Sequence, residues 1–268
     1  MAHLEEHNKY LSARLQTKSS FVISFMHELT NKAAEGAMGL EIDIKSFVLN
    51  YLLEKQMVKS DSLVINEFTY GTFSRRVDLA FIKNNEIYGI EIKSEFDTLN
   101  RLDGQVKEYL KVFDKVIVVV ATKHLAHALE LLPESVALWE FNGRRLKVVR
   151  RGKKVKIKDK SIFIDLMRVA DLIKVSNGFG LNYETKSRHE LSKVVSDLPT
   201  TKLRDAAFKA LFRRYSDGVS LFFNNVKHRK VKNSDLSTLS LNPKEPSSRD
   251  LSDILEDLNK NLFELPLS

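Results

Sequence analysis

The sequence predicts an α/β fold, a mixed β-sheet core flanked by helices, with a helical C-terminal extension. Three observations carry that expectation. β-rich runs alternate with amphipathic helical segments between residues 36 and 160. One of those runs, KVIVVVA at 115–121, is too uniformly apolar for an exposed strand. After Ser161 the pattern turns helical. At 268 residues the chain can hold one sizeable core and a smaller accessory unit.

Residues 1–35 read as an N-terminal helical extension, closed by Gly36 and Gly39. Leu40, Ile44, Phe47, Val48, Tyr51 and Leu52 recur at helical spacing, which predicts a helix over 39–56. LVINEFTY, RRVDLAFIK and EIYGIEIKS then read as three strands, separated by Gly71-Thr72 and by Asn84-Asn85. Asp97 and Thr98 are placed to cap a helix running to about Phe113. The buried strand 115–121 follows, then a helix over 124–132 and a strand from Val136 to Phe141. Asn142-Gly143 is a hairpin signal, and Arg151-Gly152 turns the chain again into KKVKIK. Residues 144–160 are therefore expected as a basic β-ribbon completing a core of 36–160.

Residues 161–230 form a helical accessory region. Ser187 with Glu190 makes a capping-box pattern, and Pro199-Thr200-Thr201 opens a further helix. A helix-turn-helix exposing Lys202, Arg204, Lys209 and Arg213 is permitted; a helical cap on the core is preferred. Residues 231–249, rich in Ser, Asn and Pro, read as a linker. The segment 250–268 sets Leu251, Ile254, Leu255, Leu258 and Leu262 on one helical face, open to a homodimer contact or a protein partner.

Composition narrows the function. The chain contains no cysteine, which excludes disulfides, thiolate nucleophiles and cysteine-ligated metals and fits a cytoplasmic protein. The longest purely apolar run, Val116 to Ala121, is far short of the ~20 residues of a membrane helix, so no membrane partner is expected. The net charge of +8 is concentrated: residues 144–160 hold ten basic side chains and one acid, Asp159, leaving the rest near neutrality. Arg144, Arg145, Arg150, Arg151, Lys153, Lys154 and Lys156 are thus candidate nucleic-acid contacts, with a merely solvated hairpin as the competing reading.

The informative stretch is Arg75 to Tyr109. A two-residue turn at Asn84-Asn85 pairs residues whose numbers sum to 169, so Asp78 falls opposite Glu91 and Arg76 opposite Lys93, all on one sheet face. Facing carboxylates destabilise a sheet. A divalent cation, Mg²⁺ or Mn²⁺, relieves that repulsion and leaves Lys93 beside a metal-bound water. A salt-bridge ladder without a metal is the alternative. The acid-x-Lys pattern alone is common here, occurring at Asp43, Glu91 and Glu184, but only the Glu91 copy lies in an apolar strand facing an acid.

Asp78, the Glu91-Ile92-Lys93 run and the helical Gln105-x-x-x-Tyr109 element resemble the PD-(D/E)XK, or restriction-endonuclease-like, nuclease superfamily. The strings VDLAFI, GIEIKSEFDTLNRL and VVVATKH resemble a bacterial and phage branch of it, over about residues 39–142. The resemblance implies a restriction-endonuclease-like core and a metal-dependent phosphodiesterase, with DNA the expected polymer. It implies Asp78, Glu91 and the Ile92 carbonyl as metal ligands, with Lys93 and Gln105 positioning the water and Tyr109 supporting them. Many members add a first-helix glutamate, for which Glu41 is the candidate; Glu67 is a second acid able to approach. Arg76 and Arg101 are expected phosphate contacts. Val77 stands where the nominal motif has proline. The alternatives are a non-catalytic nucleic-acid-binding adaptor of the same fold and an RNA-directed nuclease. His124 and His127 lack a third ligand nearby and are assigned surface or capping roles.

Overall fold

The computed structural model describes residues 40–70 and 75–241, with Arg75 described only in its backbone. The predicted extension at 1–35 and the helix at 250–268 lie outside the described residues. Helix α1 (Glu41–Glu54) precedes strands β1 (Leu63–Tyr70), β2 (Arg75–Lys83) and β3 (Glu86–Lys93). Helix α2 (Leu102–Val112), β4 (Lys115–Ala121), α3 (Leu125–Leu131), β5 (Ala137–Phe141) and β6 (Leu146–Arg150) complete the α/β part. The six strands form one mixed sheet in sequence order, β1-β2-β3 antiparallel, β3-β4-β5 parallel and β6 antiparallel on β5.

The β2–β3 turn is set by Asn84 and Asn85, both in the left-handed region at φ 51° and 59°. That conformation suits asparagine and matches the twist of the flanking strands. Lys83 consequently faces Glu86, and the predicted register holds through Leu79 and Ile90.

Helices cover both sheet faces. On one face α1 sets Phe47 against Phe141 and Tyr51 against Trp139, with ring centroids 5.0 and 5.1 Å apart. Trp139 pairs with Val119, which pairs with Ile92. On the other face Phe113, which closes α2, lies over Gly89 so closely that a Cβ there would fall 2.7 Å from its ring. Residues 89 and 92 are three apart on one strand, so these helices lie on opposite faces. The face carrying Glu91 is thus covered by α2 and buried.

Helices α4 (Ser161–Asp165), α5 (Val169–Gly178), α6 (Arg188–Val195) and α7 (Thr200–Val226) follow. Ser187 caps α6 as expected, its hydroxyl accepting from the Glu190 N–H at 3.2 Å. α7 packs on β1, and its apolar face joins the sheet in one continuous core. Arg204 is not an exposed recognition side chain. It is bonded to Asp114 and the Asn85 carbonyl and stacks over Phe163 and Phe208.

Three expectations need correction. The predicted ribbon at 144–160 is a strand only over β6; residues 151–159 form no strand. Gly152, at φ 64°, is pressed against the backbone of Ser135 and Ala137, and Lys153 and Val155 donate to the carbonyls of Ser135 and Asp114. Those acceptors precede β5 and β4, so the segment crosses the strand ends instead of extending the sheet. The predicted linker at 231–249 is packed over its described part. Val231, Leu236 and Leu239 are buried, and Asn233 bonds to Ser46 and Asp43 of α1. Gly218 of α7 permits this approach, since a Cβ there would meet the Thr238 carbonyl at 2.0 Å. Finally, Asp97 turns back to accept from the backbone and hydroxyl of Ser94, so α2 begins at Leu102.

Candidate functional site

The predicted carboxylates meet where the β2–β3 ladder gives way. Pairing ends at Leu79 and Ile90, so Asp78 and Glu91 fall just beyond the ladder. The Ile92 N–H there donates to Asp78 Oδ2 at 2.6 Å. A strand residue directs its N–H and C=O to the same side, so the Ile92 carbonyl also faces the opened gap.

Glu91 is buried and held by three donors. Lys93 Nζ and Gln105 Nε2 reach its Oε1 at 2.7 and 2.8 Å, and the Tyr109 hydroxyl lies 2.7 Å from its Oε2. The same hydroxyl is 2.9 Å from the Arg76 carbonyl, tying α2 to β2 as well as β3. Burial, then the neighbouring Glu91 charge, raises the Tyr109 pKa far beyond the ordinary phenolic range, so it acts as a donor and not an ionising group. Gln105 therefore holds Glu91 directly. Its Oε1 is a buried acceptor with no hydrogen-bond donor among the described residues.

Two further acids complete the gap. The carboxylates of Glu41, Glu67 and Asp78 offer oxygens within 4.8 Å of one another. Glu67 should pair with Asp78 in the β1–β2 register but drops out of the ladder at φ 55°, between the intact pairs Asn66–Leu79 and Phe68–Val77. A glutamate in the left-handed region costs on the order of 1–3 kcal/mol, and such strain concentrates at functional sites. Lys45, 4% exposed, lies among these acids, 2.7 Å from Glu41 and bonded to Glu67. Burial works against its charge, but Asp78, Glu41 and Glu67 outweigh it and raise its pKa. Asp78 shifts upward too: burial first, then Glu91 and Glu41, overcome Lys45 and the Ile92 N–H and lift it well above the carboxylate range.

Lys45 was missed as a site residue. Its signal was the Asp43-x-Lys45 copy of the acid-x-Lys pattern, which local sequence could not separate from a surface helix pair. Arg76, exposed, bonds Glu67 at 2.6 Å at the mouth of the site. Arg101 is exposed just before α2.

The basic candidates are divided by the fold. Lys93, Val120 and Glu140 are neighbours across the sheet, so the turn carrying Arg144 and Arg145 stands at the site's end, two strands away. Lys154 instead bonds Glu86, the first residue of β3, about 23 Å along the strand from Lys93. Arg150 is tied to the carbonyls of Val136 and Leu132, which anchors β6. Arg151, Lys153 and Lys156 remain exposed along the same segment.

The model of the family described as bacteriophage P4 protein cII matches residues 36–240. The chain belongs to that family. Its span takes in the sheet, α4–α7 and the packed segment after 230, so the match reaches into the region read as a linker. Protein cII of Enterobacteria phage P4 is 29% identical over 206 residues, covering 75% of this chain and 77% of that protein. Among solved structures, a protein of unknown function from Silicibacter pomeroyi is 22% identical, with a TM-score of 0.35 over 46% of this chain and 77% of its own. No helix among the described residues is long and apolar enough to cross a membrane.

Proposed function

We propose that this protein is a divalent-metal-dependent nuclease with a restriction-endonuclease-like core, hydrolysing phosphodiester bonds in DNA and serving repair, restriction or phage defence. One observation carries the reading: a half-buried, upshifted Asp78 lies beside Glu91 and two further acids at a strained break in the sheet.

The donor set fits a hard cation. Glu41, Glu67 and Asp78 supply only oxygens, Glu91 adds a fourth acid, and the Ile92 carbonyl faces the same gap; such ligands suit Mg²⁺ or Mn²⁺. A bound ion would polarise a phosphoryl oxygen and lower the pKa of a coordinated water. The side chains do the rest. Lys93 offers an ammonium at the Glu91 carboxylate, where it orients a nucleophile. The free Gln105 Oε1 accepts a hydrogen bond from water, while its amide nitrogen and Tyr109 fix Glu91. Arg76, Arg101, Arg144 and Arg145 would contact phosphates.

A non-catalytic, nucleic-acid-binding role is the second reading, favoured by the complete hydrogen bonding of Glu91 to its own neighbours. Incubation with single-stranded, duplex and branched DNA and with RNA, in Mg²⁺ and in Mn²⁺, separates the two. The nuclease reading expects DNA cleavage that disappears in Asp78→Ala and Lys93→Ala. Cleavage unchanged in both variants overturns the site, preferential cleavage of RNA overturns the polymer, and no cleavage of any substrate favours the second reading.

A further inference from the structure

A cavity of about 1450 Å³ is lined by residues of α1, β1 and the helices after Ser161. Its lining includes Glu41, Lys45, Glu67 and Arg76 of the acid cluster and its mouth. Arg168, Arg188 and Arg214 line it too, together with the apolar Phe68, Leu211 and Leu236. None of these three arginines was singled out by the sequence.

We propose that this cavity, and not the basic segment 151–160, holds the substrate, and that it takes a single strand of nucleic acid running from the arginines to the carboxylates. The inference rests on the nuclease reading for its polarity and extends it to the strandedness and path of the polymer.

Size is the first argument. Small-molecule sites span about 300–1,000 Å³, so this cavity exceeds what one small ligand fills. Single-strand sites combine a cationic groove with apolar surface on which bases rest, and the lining here has that character.

Charge is the second argument. Arg188 is anchored by the carbonyls of Met167 and Ile164 and pairs with Asp165, which also lines the cavity, and Arg214 is held by Asp171 and the Leu166 carbonyl. Arg168 is exposed; its backbone N–H donates to Asp171 Oδ2 at 3.1 Å, and its guanidinium has no ion pair among the described residues. Its guanidinium is close enough to Arg214 that, after burial, it is the next cause depressing the Arg214 pKa. Asp171 already pairs with Arg214, so the Arg168 guanidinium is the cation on this lining left to attract an anion. The basic segment lacks this continuity, since Lys154 and its neighbours lie at the opposite end of β3 from Glu91.

Binding of a fluorescent oligonucleotide to the full chain in EDTA tests the proposal without requiring catalysis. The single strand is expected to bind more tightly than its duplex. Arg168→Glu and the milder Arg168→Ala should each weaken binding, the former by about tenfold or more, and reduce its salt dependence. The double variant Lys153→Glu/Lys156→Glu should bind within about twofold of wild type, because its charges lie off the path. Unchanged melting of the Arg168 variants would show that the loss is not unfolding. The proposal is overturned if wild type binds no oligonucleotide, if duplex binds as tightly as single strand, if both Arg168 variants bind normally, or if the lysine variant loses as much. Arg168-dependent binding without any cleavage in Mn²⁺ would instead sink the nuclease reading and leave the cavity assignment intact.

Discussion

The two ends of the β3 strand carry charge in opposite ways. At its C-terminal end, Glu91 and Lys93 are buried and bonded to each other, and Gln105 and Tyr109 of α2 hold Glu91 as well. At its N-terminal end, Lys154 and the other cations of 151–158 lie on the surface, and the one deep ionic contact is Arg204 with Asp114. Charge that remains in water is inexpensive and weakly organised, whereas charge enclosed by a fold must be compensated. At the acid end that compensation is incomplete, as the raised Asp78 pKa records. A net charge of +8 reports the basic end and conceals the acid one.

That contrast can be broken at either end. The largest effect is expected from Lys93→Ala, which should lower DNA cleavage by roughly 10²–10⁴-fold, the range typical of a positioned proton-handling group. A fluorogenic cleavage assay reads it, and activity within threefold of wild type would place Lys93 outside the chemistry. At the opposite end, Asp114→Ala removes the partner of a largely buried Arg204 and the acceptor of the Ile87 N–H. Urea denaturation should show a loss of about 3–5 kcal/mol, the cost of breaking a buried pair.

Tyr109→Phe deletes the hydroxyl shared by Glu91 and the Arg76 carbonyl. A loss of about 1–3 kcal/mol is expected from the buried acceptors left unpaired. Retention of full stability would mean that water replaces the hydroxyl without penalty.

Asp78→Asn should act in the reverse direction in metal-free protein. The folded pKa of Asp78 lies above its unfolded value of about 3.9, so the native state binds the extra proton between the two values, and stability falls as pH rises through that window. The amide removes the repulsion from Glu91 and Glu41. Its stability curve should be flatter with pH, and at neutral pH the variant should melt above wild type. A lower melting point at neutral pH would show that the carboxylate is already compensated. The smallest effect belongs to Lys153→Glu/Lys156→Glu, whose exposed side chains should change stability by less than about 0.5 kcal/mol per site.

Much of the sheet was legible because two local signals agreed. Asn84-Asn85 fixed the hairpin and its register as far as Leu79 and Ile90, and Asp78 and Glu91 lie one step beyond it. The Gln105–Tyr109 spacing likewise brought both side chains to the site from one face of α2. What escaped depended on nonlocal structure. The alternation in KKVKIK suits a strand, but a strand needs a free edge, and here the carbonyls of Ser135 and Asp114 capture that backbone first. The polar composition of 231–241 resembles a linker, yet Asn233 is used to satisfy α1, and Gly218 admits the segment to α7. Glu67 reaches the site only because its backbone leaves the strand conformation, which no propensity favours. Lys45 depends in turn on Glu67.

On the nuclease reading, the acid end of the sheet holds a divalent cation. Calorimetric titration of Mn²⁺ into wild type and Asp78→Ala, at a pH where carboxylates ionise, tests it most directly. Saturable binding to wild type that is lost in Asp78→Ala is the predicted result. Absence of binding to wild type, or binding that is the same in the variant, would contradict it and leave the cluster as a network closed by Lys45, Lys93, Gln105 and Tyr109.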